Sequence, residues 1–487
     1  MKKEILSFLV LFSILSVSAQ THEDALLFSE NDVVGTARSA GMSNAFGALG
    51  ADLSTLSSNP AGLGVYQSYE FAFSLNLGGV DMASYYLDNK ITNSSGNFNV
   101  PSFGLVAPIK SSPSSDWRRT NLGFAYNTTK VFKSNTVQSG YNANSSLVDV
   151  FHASANGYQL DDLDPFFELA AFDTDLIDLQ TDSNGWIDDG NYFREVQTGQ
   201  DQFKQTNIYG SMAEFAISYA GSYMEKLYLG ATLGLTTTNY TKKSRYSERN
   251  FADTSTTVES FDMYENQYTT GGGVNLKLGA IYRASDNLRL AVAWHSPTLN
   301  EMHDEWEMVL RTQHQNDSSY SYTYTSPYGV YDYTVTSPMR LIGSAAFIMN
   351  NIVLSGDLEY VDYSTMKIDG DNFNYFNDQQ NIIDANYTSV VNGRFGAELN
   401  LSPFVFRAGY AQLKSPYTDE STLNTYRDER KSYSFGFGKR NQYSYFDLAY
   451  VFSEYSNSDA LYNTYFEPAH RVTKTAYNLI FTMGWKF

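Results

Sequence analysis

From about residue 69 onward the chain repeats one pattern, a segment of roughly ten residues in which apolar and polar side chains alternate, followed by a turn or a long polar loop. In Glu70-Phe-Ala-Phe-Ser-Leu-Asn-Leu77, the residues Phe71, Phe73, Leu75 and Leu77 fall on one face. A period of two means a strand, because successive Cβ atoms point to opposite sides of a sheet. The same alternation covers 102–109, 120–130, 211–220, 226–240, 272–283, 287–295, 338–349, 351–363, 389–401, 403–413, 432–440, 443–453 and 475–487, with further pairing-competent sequence at 300–312. In the last segment Tyr477, Leu479, Phe481, Met483, Trp485 and Phe487 alternate with Asn478, Ile480, Thr482, Gly484 and Lys486. That is a complete strand, able to close a sheet on its own first edge.

No stretch beyond the N-terminus approaches the roughly 20 apolar residues of a membrane helix. A barrel hides its membrane signal in alternation instead. Aromatics are 15% of the chain, with 38 Tyr and 32 Phe, and apolar faces carry Tyr282, Trp294, Tyr360, Tyr410 and Tyr450. Interfacial girdles of a membrane barrel need such residues, whereas a soluble sandwich is dominated by aliphatics. The predicted fold is all-β: a transmembrane antiparallel β-barrel of about 14 strands with an N-terminal plug in its lumen.

Residues 1–19 read as a signal peptide, with Lys2 and Lys3, an apolar run from Ile5 to Val17, and the small-residue site Val17-Ser18-Ala19. Cleavage after Ala19 would start the mature chain at Gln20 and send it to the outer membrane. The chain has no cysteine, which excludes a lipid-anchored Cys and any disulfide scaffold. Its net charge of −20 repels nucleic-acid phosphates, so no nucleic-acid partner is expected.

Residues 20–64 form the expected plug and 65–487 the barrel. Gly35 to Asp52 is crowded with Gly, Ala and Ser, which permit close backbone approach but bury little apolar area. Such a piece needs a wall to pack against. Between 131 and 208 lies an insertion without alternation, expected as a long extracellular loop. It contains two helical stretches: Leu147, Val150, Phe151 and Ser154 share a face, and Asp164-Pro165 opens the second, carrying Phe166, Leu169, Ala170, Leu176 and Ile177. Further polar excursions are expected at 241–270, 313–336, 364–388 and 414–431.

Just before the first strand the chain reads Ser58-Asn-Pro-Ala-Gly-Leu63. Here it resembles the long-chain fatty-acid transporter family of outer-membrane barrels, the FadL/TodX-like hydrocarbon transporters, whose hatch carries Asn-Pro-Ala followed by Gly. Asn287-Leu-Arg-Leu-Ala-Val-Ala-Trp-His-Ser-Pro-Thr298 is similar to a family strand ending in Ser-Pro; Ser337-Pro-Met-Arg-Leu341 and Asp357-Leu-Glu-Tyr-Val-Asp-Tyr363 resemble the strands that follow. The resemblance implies fourteen strands, a hatch motif at Asn59, Pro60, Ala61 and Gly62, and passive uptake of hydrophobic compounds with lateral release through the wall. Gly123 is the candidate for the kink of the third strand. The final strand resembles the signal read by barrel-assembly machinery, an expected partner together with outer-membrane lipid, lipopolysaccharide and a hydrophobic small-molecule ligand.

Strand parity turns Arg289, Arg340, Arg394 and Arg407 into the lumen, with Asp357, Glu359, Glu398 and Asp447. These charges either pair with one another across adjacent strands or offer a guanidinium to a substrate carboxylate. Arg38 in the plug is a further candidate. Phe46, Leu49, Leu53, Leu56 and Leu63 of the plug, with Phe151, Phe166, Phe167, Leu169 and Phe172 of the insertion, either line a greasy ligand pocket or pin plug and loop in place. Gln180 to Asp188 partly resembles a calcium loop through Asp182, Asn184 and Asp188, but a polar turn is favoured and no metal site is expected. Neither His-Glu-x-x-His nor Gly-x-Ser-x-Gly occurs, and no catalytic residue or cofactor is expected. The leading expectation is a passive channel for hydrophobic or amphipathic molecules. The alternatives are a haem receptor using His295 or His303, and a structural or adhesive surface barrel.

Overall fold

The computed structural model describes residues 20–487 except 33–34, 111–114, 183–184, 188, 254–256, 315–320, 427 and 463. The expected signal segment, and Asn184 and Asp188 of the calcium-like turn, lie outside the described residues.

Fourteen antiparallel strands form one closed barrel. They are β1 (Glu70–Tyr86), β2 (Asn89–Lys110), β3 (Trp117–Asn142), β4 (Gln200–Tyr223), β5 (Leu227–Arg249), β6 (Val258–Arg283), β7 (Leu288–His295, resuming as Leu299–His314), β8 (Gly329–Thr336, resuming as Arg340–Met349), β9 (Ile352–Asp362, resuming as Lys367–Gly370), β10 (Ser389–Leu401), β11 (Phe404–Leu413), β12 (Arg430–Arg440), β13 (Ser444–Asp459) and β14 (His470–Lys486). The seam closes between β1 and β14, in register from Glu70↔Lys486 to Ser84↔Val472. Short connections such as Asn350-Asn351 mark one end, the turn end; the long excursions gather at the other, the loop end.

The breaks in β7 and β8 fall at Pro297 and Pro338, which have no N–H to give the ladder. They lie side by side and repair each other, Ser337 N donating to Thr298 O and Thr298 N to Ser337 Oγ, both at 3.0 Å.

Outward-facing Leu77, Phe124, Ile217, Leu276, Leu358 and Phe435 are large, apolar and exposed. In water such a belt would forfeit roughly 25 cal/mol for each Å² left uncovered, so it is built for hydrocarbon. At the turn end Tyr69 stacks on Phe487 and Phe71 on Trp485, with ring centroids 5.9 and 6.1 Å apart, as an interfacial girdle does. Inward faces carry buried polar groups, among them Ser74, Asn121, Thr232 and Asp447.

Two boundaries differ from expectation. The insertion is 143–199 rather than 131–208, because Val131–Asn142 and Gln200–Ser211 continue the β3–β4 ladder past the apolar belt. Much of 241–270 is likewise strand, in β5 and β6. Inside the insertion, the helix Leu147–Ala155 is started by a Ser146 capping box with Asp149. The second helix begins at Glu168 rather than Pro165 and ends at Asp173, leaving Leu176 and Ile177 beyond it. A further helix, Phe373–Asn386, occupies the excursion after β9.

The plug, residues 20–32 and 35–66, lies within the lumen. Its first helix, His22–Leu27, is capped by Thr21, and Phe28 packs edge-on against Phe132 and Tyr240, both at 6.0 Å. The short helices Ala37–Ala40 and Thr55–Ser58 and the 3-10 turn Pro60–Val65 follow.

Candidate functional site

The base of the plug is the Asn59-Pro60-Ala61-Gly62 turn. Asn59 caps it, its Oδ1 accepting from Ala61 N at 3.1 Å while its Nδ2 donates to Gly47 O at 2.7 Å. Pro60 takes the first position of the turn, where a missing N–H costs nothing. The turn lies on bare wall backbone: a Cβ added to Gly279 would stand 2.0 Å from Asn59 Oδ1, and one on Gly230 2.4 Å from the Pro60 carbonyl carbon. Wall side chains then satisfy plug carbonyls. Asn121 Nδ2 donates to Leu63 O at 2.6 Å, Thr232 Oγ1 to Leu56 O at 2.8 Å and Arg289 Nη1 to Leu49 O at 2.8 Å, while His295 Nε2 lies 2.7 Å from Ser58 O. Each bond removes a buried orphan acceptor. The motif is therefore an anchor of the plug on the wall.

The lumen charges pair. Arg340 and Arg394 both reach Glu359, at 3.1 and 3.2 Å; Arg407 joins Glu398 at 2.6 Å and Asp447 at 2.7 Å; Arg38 from the plug reaches Glu398 at 3.4 Å. Asp357 instead accepts the plug N–H groups of Phe46 and Gly47, at 3.0 and 3.1 Å. Arg289 joins no ion pair among the described residues and bonds the Leu49 carbonyl of the plug, which makes it a plug tether.

The apolar candidates do not converge. Phe46 and Leu49 pack with Met42 and Ala346; Leu53 and Leu56 pack with Leu63 and Tyr66; Phe151 and Phe172, flanked by Phe167 and Leu169, belong to a cluster that binds the insertion to the rim. Phe166 lies against Trp306, with centroids 5.7 Å apart. These residues form three packing cores, since each short apolar run buries itself on the nearest wall.

Open space is found where no apolar run marks the chain. One cavity of about 350 Å³ lies on the loop side of the plug, lined by Glu30, Asp32, Lys130, Tyr363, Arg430 and Lys474 among others; a second of about 170 Å³ lies deeper, beside Lys277, His295 and Asp357. Both are bordered by Asn31, Asp32, Arg340, Glu359 and Arg394. Burial pushes the plug carboxyls Glu30 and Asp32 up, but Lys130 and Arg430 outweigh it and hold both below their ordinary values. Arg430 Nη1 meets Asp32 Oδ1 at 2.6 Å and Lys130 Nζ meets Glu30 Oε2 at 3.1 Å. Lys130 and Arg430 sit at the margins of the alternating segments, so parity alone could have turned them inward.

Beside this network β3 steps into the lumen. Its ladder with β2 stops at Ser102↔Asn127, and its register with β4 slips between Thr128 and Lys130. The plug takes up the released backbone: Asp32 N donates to Thr129 O at 2.8 Å, and Val131 N to Asp32 Oδ2 at 3.1 Å. The irregularity thus lies beyond Gly123, whose open face is covered by Leu56 and Leu63. A small cavity of about 60 Å³ at the step touches both Asp32 and Asn97 of β2.

His295 faces the plug, whereas His303 is partly exposed and bonds Asp332 at 2.6 Å. Among the described residues no group of His, Asp and Glu is placed to hold a metal ion.

No protein-family model matches the chain, and no curated protein matches it. Solved structures do. A Pseudomonas aeruginosa FadL homologue aligns over 94% of this chain and 100% of its own, with a TM-score of 0.58 at 12% identity. The CymD monoaromatic hydrocarbon channel aligns over 94% and 99%, with a TM-score of 0.52 at 12% identity, and the Pseudomonas putida toluene transporter TodX over 94% and 99%, with 0.52 at 14%. The chain shares the plugged-barrel fold of these proteins.

Proposed function

We propose that the protein is an outer-membrane passive conduit for small amphipathic or hydrophobic molecules. The observation that carries this is the pair of cavities meeting at Asp32, Arg340, Glu359 and Arg394, above a plug whose base is anchored and beside a strand that steps inward. A purely structural or adhesive barrel has no use for such cavities, and His295 and His303 are engaged by Ser58 O and Asp332 instead. The shared fold with the hydrocarbon channels points the same way. Charged cavity walls suit an amphiphile with a polar head better than a bare hydrocarbon, because a guanidinium can hold a carboxylate that its neighbour releases. The opening between β2 and β3 offers a lateral exit.

The test is uptake of radiolabelled laurate into proteoliposomes. The intact barrel should admit laurate in a saturable manner, and deletion of residues 20–60 should abolish saturation and let charged solutes leak. Identical uptake by the two proteins would sink the proposal.

A further inference from the structure

Where the plug begins, carboxylates gather without a counter-charge. Asp24 of the first plug helix and Asp304 of β7 are buried, Glu23 lies beside them, and none of the three joins an ion pair among the described residues. Lys242 of β5 acts on Asp24 from beyond ion-pair distance. The other titratable groups facing this corner are Tyr240 of β5, Glu265 of β6, Tyr333 of β8 and His22, whose imidazole burial pushes below its ordinary value. Two buried acids without a partner are costly, and burial, with Asp304 and Glu23 close by, pushes the Asp24 carboxyl up to about 7.

Gln20 sits among these acids and is held from several sides. Its Nε2 donates to Asp304 Oδ2 at 3.1 Å, and its carbonyl accepts from Oη of Tyr375, on the helix Phe373–Asn386, at 2.7 Å. The other side chains bonded to Asp304, Gln267 and Tyr333 at 3.3 and 3.4 Å, are neutral. Thr21 N donates to Asp24 Oδ2 at 2.8 Å, which leaves Asp24 Oδ1 without a hydrogen bond among the described residues. His22 N donates to Gln379 Oε1 at 2.9 Å, and His22 Nδ1 lies 3.0 Å from Tyr387 Oη. Covalent geometry then keeps Gln20 N within about 6.5 Å of Asp24 Oδ2. What the corner lacks is one positive charge at that nitrogen.

We propose that this corner is the seat of the mature N-terminus, in which the α-ammonium of Gln20, freed by cleavage after Ala19, is the counter-ion of Asp24 and Asp304. A leader peptidase adds water across the Ala19–Gln20 amide, leaving a carboxylate on Ala19 and an amine on Gln20 that takes up a proton. Before that step the nitrogen is a neutral amide and the acids stay unpaired. Processing therefore completes the site, and the plug helix is seated on β7 and on the helix Phe373–Asn386 only in the cleaved chain. The grip on Gln20 also opposes its cyclisation. That reaction would join the α-nitrogen to the side-chain carbonyl carbon and expel Nε2 as ammonia, removing both the charge and the donor to Asp304. None of this depends on what the barrel carries.

The test uses the full chain, expressed with its leader and isolated from membranes. Intact-mass spectrometry should find Gln20 first and uncyclised; a different first residue, or loss of ammonia from Gln20, overturns the proposal. The α-amine is then titrated in the folded barrel by trace acetylation with acetic anhydride across pH, with the urea-unfolded chain as reference. The unfolded amine should titrate at about 7.7–8.0, and the folded one at about 9 or above, because an opposite charge favours the ammonium. Asp24→Asn and Asp304→Asn should each bring the folded midpoint down, and heat-modifiable mobility on gels checks that each variant is folded. Burial alone would slow acetylation but lower the midpoint. A folded midpoint at or below that of the unfolded chain, or one that neither variant moves, overturns the seat.

Discussion

Arg407 shows what the lumen demands of a single residue. Its guanidinium has no exposed surface and lies between Glu398 and Asp447; Arg440 takes the other Asp447 oxygen at 2.6 Å. Such a cluster is weak ground for net stability, since desolvation offsets most of the attraction. Removing one member is another matter. Arg407→Met should destabilise the lipid-reconstituted barrel by about 3–5 kcal/mol in urea unfolding, because the buried Glu398 and Asp447 each lose the guanidinium they share and keep only Arg38 and Arg440. Arg289→Met, which loses one bond to the Leu49 carbonyl, should cost about 2 kcal/mol. Similar losses for the two variants would contradict the distinction between a shared counter-ion and a tether. Parity was enough to turn all four arginines inward from sequence. It had no means of showing that Arg38 would cross from the plug to Glu398, a contact between segments far apart in the chain.

Among the elements, the plug base and the loop-end excursions behave differently. Gly279→Val would drive a side chain into Asn59 and unseat the turn, whereas Gly356→Val points into open space. Planar-bilayer recordings should show raised, noisy conductance for the first variant and ordinary conductance for the second. The 460–469 excursion carries a pH response. Burial pushes the Glu467 carboxyl from its ordinary 4.5 up to about 7, while its Oε2 accepts from Leu461 N at 2.9 Å. A raised folded-state value means that this contribution to stability is complete below about pH 4.5 and is lost as pH rises through about 7. Amide protection at 460–469, corrected for intrinsic exchange, should therefore fall between about pH 4.5 and pH 7, and Glu467→Gln should flatten that dependence. An unchanged profile in the variant would assign the response elsewhere. The strands were legible in sequence where one face meets lipid. Past the belt the outer face meets water instead of lipid, the apolar half of the alternation has no cause, and Thr241-Lys242-Lys243-Ser244 of β5 reads as loop although it is fully paired. The cavities were illegible for a related reason: their polar linings come from many strands, and no local pattern marks them.

At the scale of the molecule, the barrel is inside out relative to a soluble protein, with hydrocarbon outside and polar contacts within. Leu233, outward on β5 and 45% exposed, should tolerate Phe but not Arg. The charge should cost about 2–4 kcal/mol if the site lies near the bilayer midplane, read as a lowered unfolding midpoint in lipid vesicles. An unaltered midpoint would place this part of β5 outside the belt. Fold class, strand number and the plug all followed from composition and period; the step in β3 did not, because a bulge is one added residue with no compositional mark.

The pairing of β1 with β14 has a consequence for biogenesis. The plug runs straight into β1, so the first strand to leave the lumen segment is also one half of the final seam. Bonds to β3, β5 and β7 span the inside of the cylinder that this seam shuts, and docking ahead of closure would make the hatch a mandrel around which the staves are gathered.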